Sequence, residues 1–83
     1  MLKISLISPE AVLFEGEAQM VVAPAHDGEV GILERHAPMM TLLGTGVLRL
    51  GGGGADRSFN IEGGFLQVVD DVVRIVTEKA SAA

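Results

Sequence analysis

The chain has 83 residues, 48% of them apolar, with three Phe as its only aromatics, no cysteine, and a formal charge of −5 from eleven acidic and six basic side chains. Too few clustered Lys and Arg are present to neutralise nucleic-acid phosphates, and without Trp or Tyr the usual platforms for stacking bases or sugars are missing. The lack of cysteine excludes a disulfide framework, a thiol nucleophile and a zinc–thiolate site.

A chain this short makes one small domain and buries only about 60–65% of the surface it exposes when unfolded. An apolar share near one half exceeds what such an interior can hold. Some of it is expected on the surface, where a contiguous apolar patch marks a binding face. The opening MLKISLISPE lacks the apolar region of a signal peptide, and no run reaches the length of a membrane span.

LKISLI alternates, with Leu2, Ile4 and Leu6 on one side and Lys3 and Ser5 on the other, which is the period of a half-buried strand. AVLFEG and EAQMVVAP follow as two runs separated near Gly16, the second ending at Pro24, which lacks the donor of a central strand. Asp27-Gly28 signals a turn, and GEVGIL is a short extended run in which Gly31 predicts a bulge or a tight contact. HAPMMTLLG is the only candidate for a helical turn, beginning at Pro38 and ending at Gly44.

GVLRLG, DRSFNI, GFLQVVD and DVVRIVTE are four further β-rich runs, separated by GGGGAD, EGG and DD. The glycine run predicts a flexible hairpin connection. Gly63-Gly64 predicts a tight turn with positive φ, or else close approach of a partner chain. KASAA reads as a frayed tail or the stump of something longer. Regular short strands with such turns predict an all-β sandwich or barrel.

In the second half Leu48, Leu50, Leu66, Val68, Val73 and Ile75 form an expected inward set. The opposite parity holds Val47, Phe65, Val69, Val72 and Val76 among Arg49, Gln67 and Arg74. This is more apolar than a solvent face requires, so that face is either covered by loops or receives a partner.

DGEVGILERHAP is the densest stretch for chemistry. His26, Asp27, Glu29, Glu34 and His36 are residue types that ligate metals or carry protons. The two His are ten residues apart on strand and loop, however, with nothing to force convergence, unlike paired His on one helix face. None of the serines lies in a nucleophile elbow, and the glycine run lacks the Lys and Ser/Thr of a phosphate loop. A shaped loop with exposed charge suits recognition better than catalysis. A small metal-binding or hydrolytic protein using His26, Glu29 and His36 is the alternative, and no cofactor is expected.

DGEVGILERHAPMMTLLGTGVLRL closely resembles the signature of the epsilon subunit of F-type (rotary) ATP synthases, called delta in mitochondria. That family reads D/E-G-E-x-G-I/V-L-P-G-H-A-P-L-L-T and then a P/T-G-x-x-R strand. FNIEGGFLQVVDDVVRIVTEKA is similar to its later G-G-x-L-E-V, turn, V-x-V-L-A-D/E run, so the resemblance covers essentially the whole chain. It implies an all-β, flattened sandwich of about ten strands in two sheets of about five, with at most one short helical turn.

The resemblance also implies a non-catalytic part of the central stalk, docked on the gamma subunit and on the polar loops of the c-ring. It would couple ion-driven rotation to ATP synthesis at the cytoplasmic face of a bacterial membrane, without inserting into the bilayer. By the same resemblance Glu29 faces the c-ring, while His36, Met39, Met40 and Thr41 face gamma. Glu34-Arg35 stands where the family has Pro-Gly, so the loop before His36 is expected to differ. Residues 1–83 match the family's β-sandwich domain alone. Without its C-terminal two-helix domain, no ATP binding is expected.

Overall fold

The computed structural model describes residues 1–52 and 56–83. Ten strands appear in chain order: β1 (Leu2–Ile7), β2 (Val12–Ala18), β3 (Met20–Ala25), β4 (Gly28–Leu33), β5 (Met39–Leu42), β6 (Thr45–Gly51), β7 (Arg57–Glu62), β8 (Phe65–Val69), β9 (Val72–Val76) and β10 (Lys79–Ala82). The first sheet has the order β2-β1-β9-β8-β5 and the second β10-β7-β6-β3-β4. All pairings are antiparallel except β1 with β9. With extents of 27 × 25 × 19 Å, the body is the flattened sandwich of two five-stranded sheets that the resemblance implies.

Strand alternation makes the core. Leu2, Ile4 and Leu6 of β1, Leu66 and Val68 of β8, and Val73 and Ile75 of β9 point inward from the first sheet. Val21, Ala23, Ile32, Leu48, Leu50, Phe59 and Ile61 meet them from the second. The inward set read from the sequence is therefore correct, each member being 2% exposed or less. Along β2 and β7, Phe14 tilts against Phe59 with ring centroids 6.0 Å apart, and Arg57 stacks over Phe14 at 5.4 Å.

The chain changes sheets at tight corners. Gln19 separates β2 from β3, and its N–H donates to Gly51 O at 2.8 Å. The β7–β8 corner and the β9–β10 corner touch each other. Gly63 and Gly64 hold φ +64° and +102°, and a Cβ on Gly64 would lie 1.9 Å from Val76 O. Both reasons for glycine apply here, and the backbone that approaches is the chain's own crossing rather than a partner. Thr77, 1% exposed, places its hydroxyl 2.9 Å from Gly63 O, 3.1 Å from Glu62 O and 3.0 Å from Lys79 O, donating its single proton to one at a time.

Several expectations are corrected. Residues 38–44 form no helical turn. Met39–Leu42 is a strand paired with β8, because a lone turn of helix cannot compete with ladder bonds and half-burial against Leu66 and Val68. Gly16 does not divide two strands: β2 runs through it, and its missing side chain makes room for the Phe14 ring, 2.9 Å from where a Cβ would sit.

Gly31 marks neither bulge nor tight contact. It pairs regularly with Val22, and nothing lies within 4 Å of the Cβ position. Lys79–Ala82 is not a frayed tail but β10, paired with β7. Pro24 lies inside β3, one residue before its end; the β3–β6 ladder stops at Val22, and Gly46 leaves room for the proline ring. The glycine connection predicted at residues 51–54 falls partly outside the described residues.

Candidate docking site

The β3–β4 hairpin turns on His26 and Asp27, and Gly28 follows with φ +136°. Glu29 comes next, exposed and opposite Pro24, near the tip of the hairpin. Its carboxylate lies 3.5 Å from the Arg49 guanidinium on β6, with both side chains more than half exposed. Such a surface pair contributes at most about 1 kcal/mol. Glu29 is thus displayed rather than committed to the fold.

The 34–38 loop sits at the far end of β4. Arg35 adopts φ +65°, the left-handed conformation that favours glycine, at the position where the resembled family has Gly. Its N–H donates to Asp71 Oδ1 at 2.6 Å, tying the loop to the β8–β9 hairpin, whose turn residues Asp70 and Asp71 hold φ +50° and +63°. Glu34 contacts the Met1 α-ammonium, and that hydrogen bond raises the amine above its ordinary value of 8.0. His36 is half-buried, with Nδ1 2.7 Å from Ala37 O.

Beyond Pro38, β5 divides the remaining residues between two faces. Met39 and Thr41 lie opposite Val68 and Leu66 on the inner side, half-buried. Met40 and Leu42 lie opposite Gln67 and Phe65 on the outer side, each 64% exposed. Of the residues expected to face gamma, Met40 alone stands outward on the sheet, with His36 in the adjoining loop. Glu29 is not beside His36, because the length of β4 separates them.

The strand registers reveal what single strands could not. Leu42, Phe65, Val76, Ile7 and Val12 form one apolar row across all five strands of the first sheet. A second row runs Met40–Gln67–Arg74–Ser5–Glu15, and a third Val69–Val72–Lys3–Glu17. The half of this outer face on β5, β8 and β9 is apolar apart from Gln67 and Arg74; charge gathers on β1 and β2. Among the described residues no loop covers it: Val69 and Val72 are 41% exposed and Val12 57%. The opposite-parity set read from the sequence is not one face, since Val47 and Arg49 belong to the outer side of the second sheet.

Sequence reasoning missed Ile7, Val12 and Leu42 as members of the row. The alternation in LKISLI does place Ile7 opposite the core, but the pairing that aligns it with Val76 spans most of the chain.

The enzymatic alternative is not supported. His26 and His36 lie beyond opposite ends of β4, and among the described residues no three His, Cys, Asp or Glu side chains converge to hold a metal. Nor do those residues include a buried side-chain N or O atom without a hydrogen-bond partner. No helix among them is long and apolar enough to cross a membrane.

A family model described as ATP synthase, Delta/Epsilon chain, beta-sandwich domain matches residues 1–83. The ATP synthase epsilon chain of Leptospira borgpetersenii is 43% identical over 77 residues, covering 93% of this chain and 61% of that protein. The epsilon chain of Caulobacter vibrioides is 42% identical over 82 residues, covering 99% of this chain and 95% of the relative. The chain therefore spans less than two thirds of the Leptospira relative but nearly all of the Caulobacter one.

A chain in the Euglena gracilis mitochondrial ATP synthase structure, OSCP/F1/c-ring in rotational state 1, superposes with a TM-score of 0.88 at 27% identity, over 98% of this chain and 52% of that one. A chain of the Tetrahymena thermophila mitochondrial ATP synthase central stalk and c-ring shares the fold, with a TM-score of 0.80 at 17% identity, over 98% of this chain and 66% of that one.

Proposed function

The chain belongs to the delta/epsilon family of ATP synthase β-sandwich chains, and from that premise we propose that it is a non-catalytic rotor subunit of a proton-translocating F-type ATP synthase. It couples ring rotation to ATP synthesis by holding the gamma subunit and the c-ring together. Its place is at the cytoplasmic face of a bacterial membrane, peripheral to the bilayer.

Gamma docks on the outer face of the first sheet through Met40 and Leu42, with His36 in the adjoining loop, and reaches Met39 and Thr41 only by wrapping the edge that β5 forms. Glu29, at the β3–β4 hairpin, faces the polar loops of the ring. The observation that carries this reading is the uninterrupted apolar row from Leu42 to Val12, a surface with no reason to face water. A standard interface buries about 800 Å² per partner. Against a total accessible surface of 4819 Å², two such partners fit on separate faces of this body.

Torque transfer asks for stiffness, and two five-stranded sheets over one apolar core deform less than loops would. Glu29 would act by orienting the encounter with a basic ring loop more than by raw affinity. Gamma pull-down tests the first contact: the wild-type chain is retained and Met40→Asp is lost, while its thermal midpoint stays unchanged because Met40 is exposed. Retention of Met40→Asp at wild-type strength would falsify the docking face. For the second contact, Glu29→Lys is expected to weaken binding to isolated c-ring, most at low salt, and leave the fold intact. Unfolding by this substitution would show that the carboxylate serves the fold instead.

A further inference from the structure

Arg74 is the third residue of the five in β9, and β9 is the third strand of the five in the first sheet. Its side chain rises from the middle of the outer face. Val72 and Val76 flank it along the strand; Gln67 on β8 and Ser5 on β1 flank it across the sheet. Arg74 is exposed, and among the described residues it makes no ion pair. Glu15, in register with it across Ser5, stands two strands away, about 9.6 Å.

A partner that covers Val72, Val76 and the row beside them must also cover this guanidinium. A desolvated cation without an anion costs several kcal/mol. A long side chain ordinarily escapes by reaching for water at the rim. Across the sheet the rim is two strand widths away on either side, and the shorter route along β9, about 6.6 Å to either end, runs over Val72 or Val76, which the partner itself covers. The apolar face and its central cation therefore make one joint demand on whatever binds.

We propose that the partner surface seated on the first sheet carries a single carboxylate, set among apolar side chains, that pairs with Arg74. This rests on the docking reading above and adds the chemistry of the partner to it. Arg presents a planar fork that takes a carboxylate through two parallel hydrogen bonds. The Gln67 amide and the Ser5 hydroxyl flank that position and can satisfy the remaining lone pairs. A partner slid by one strand would leave the guanidinium buried alone. The pair thus fixes register on a face whose apolar rows would otherwise tolerate sliding.

The test measures affinity for the gamma subunit of the same synthase by calorimetry, using the wild-type chain, Arg74→Met, Arg74→Glu and Met40→Asp. Arg74→Met keeps length and apolar bulk, so it strands the partner's carboxylate without opening a gap. Affinity is expected to fall about 30-fold or more, with the melting curve unchanged, and to fall further for Arg74→Glu. If Arg74→Met binds as tightly as wild type or tighter while Met40→Asp is lost, the face is right and the carboxylate is wrong. If Met40→Asp also binds like wild type, the docking reading itself fails and this inference with it.

Discussion

Arg35 holds a backbone conformation that costs an L-residue about 1–2 kcal/mol, and the hydrogen bond from its N–H to Asp71 is one contact that keeps it there. Glycine at this position would remove the strain but lose more chain entropy on folding, an opposing effect of about 0.4–1 kcal/mol. Arg35→Gly is therefore expected to stabilise the chain by about 0.5 kcal/mol, and Arg35→Val to destabilise it by more than that, in urea titrations. A clear loss of stability in Arg35→Gly would mean that the Arg35 side chain contributes to the fold.

Thr77 shows a different residue-scale economy. One hydroxyl stands among three carbonyls at the corner where two sheet crossings meet. Alternation marks Val73 and Ile75 as core, and continuing that parity to Thr77 would have found it. Residue type argued the other way, since Thr is more often exposed.

Among the elements, β5 and β10 show most clearly how pairing overrides local preference. MMTL suits a helical turn as well as a strand, and KASA has little strand preference at all. Each is extended because a neighbour offers a ladder: β8 to the first, β7 to the second. Without β10, β7 would become a sheet edge with free backbone groups, and the crossing at Thr77 would lose its bond to Lys79.

Removing residues 79–83 is accordingly expected to lower unfolding free energy by about 2 kcal/mol and to increase association at high concentration. Denaturant titration and light scattering would report the two effects. A truncated chain as stable as the full one would mean that β10 frays freely in solution. The reversal between β3 and β4, by contrast, is legible locally: Asp27-Gly28 between two apolar runs signals a turn, and the pairing of the two strands across it is what the structure adds.

For the whole molecule, the single parallel pairing governs assembly. β1 cannot complete its sheet until β9, at the other end of the chain, arrives beside it. Loop closure of that length must precede the contacts that reward it, which makes such topologies slow. Refolding from denaturant is expected to relax in milliseconds to seconds, and a dominant microsecond phase in stopped-flow or temperature-jump experiments would contradict this.

The same long-range pairing separates what could be read from the chain from what could not. Alternation fixed which side chains of β1, β6, β8 and β9 face inward, because side-chain period within a strand is a local property. Turn chemistry fixed the reversals at Asp27-Gly28, Gly63-Gly64 and Asp70-Asp71, and ordered motifs fixed the family. Only the tertiary structure decided that Ile7, Val12 and Leu42 stand in one row with Phe65 and Val76, and that Arg74 lies at its sheet's centre. Register and strand order come from pairings between distant segments, and no local pattern records which strand will be whose neighbour.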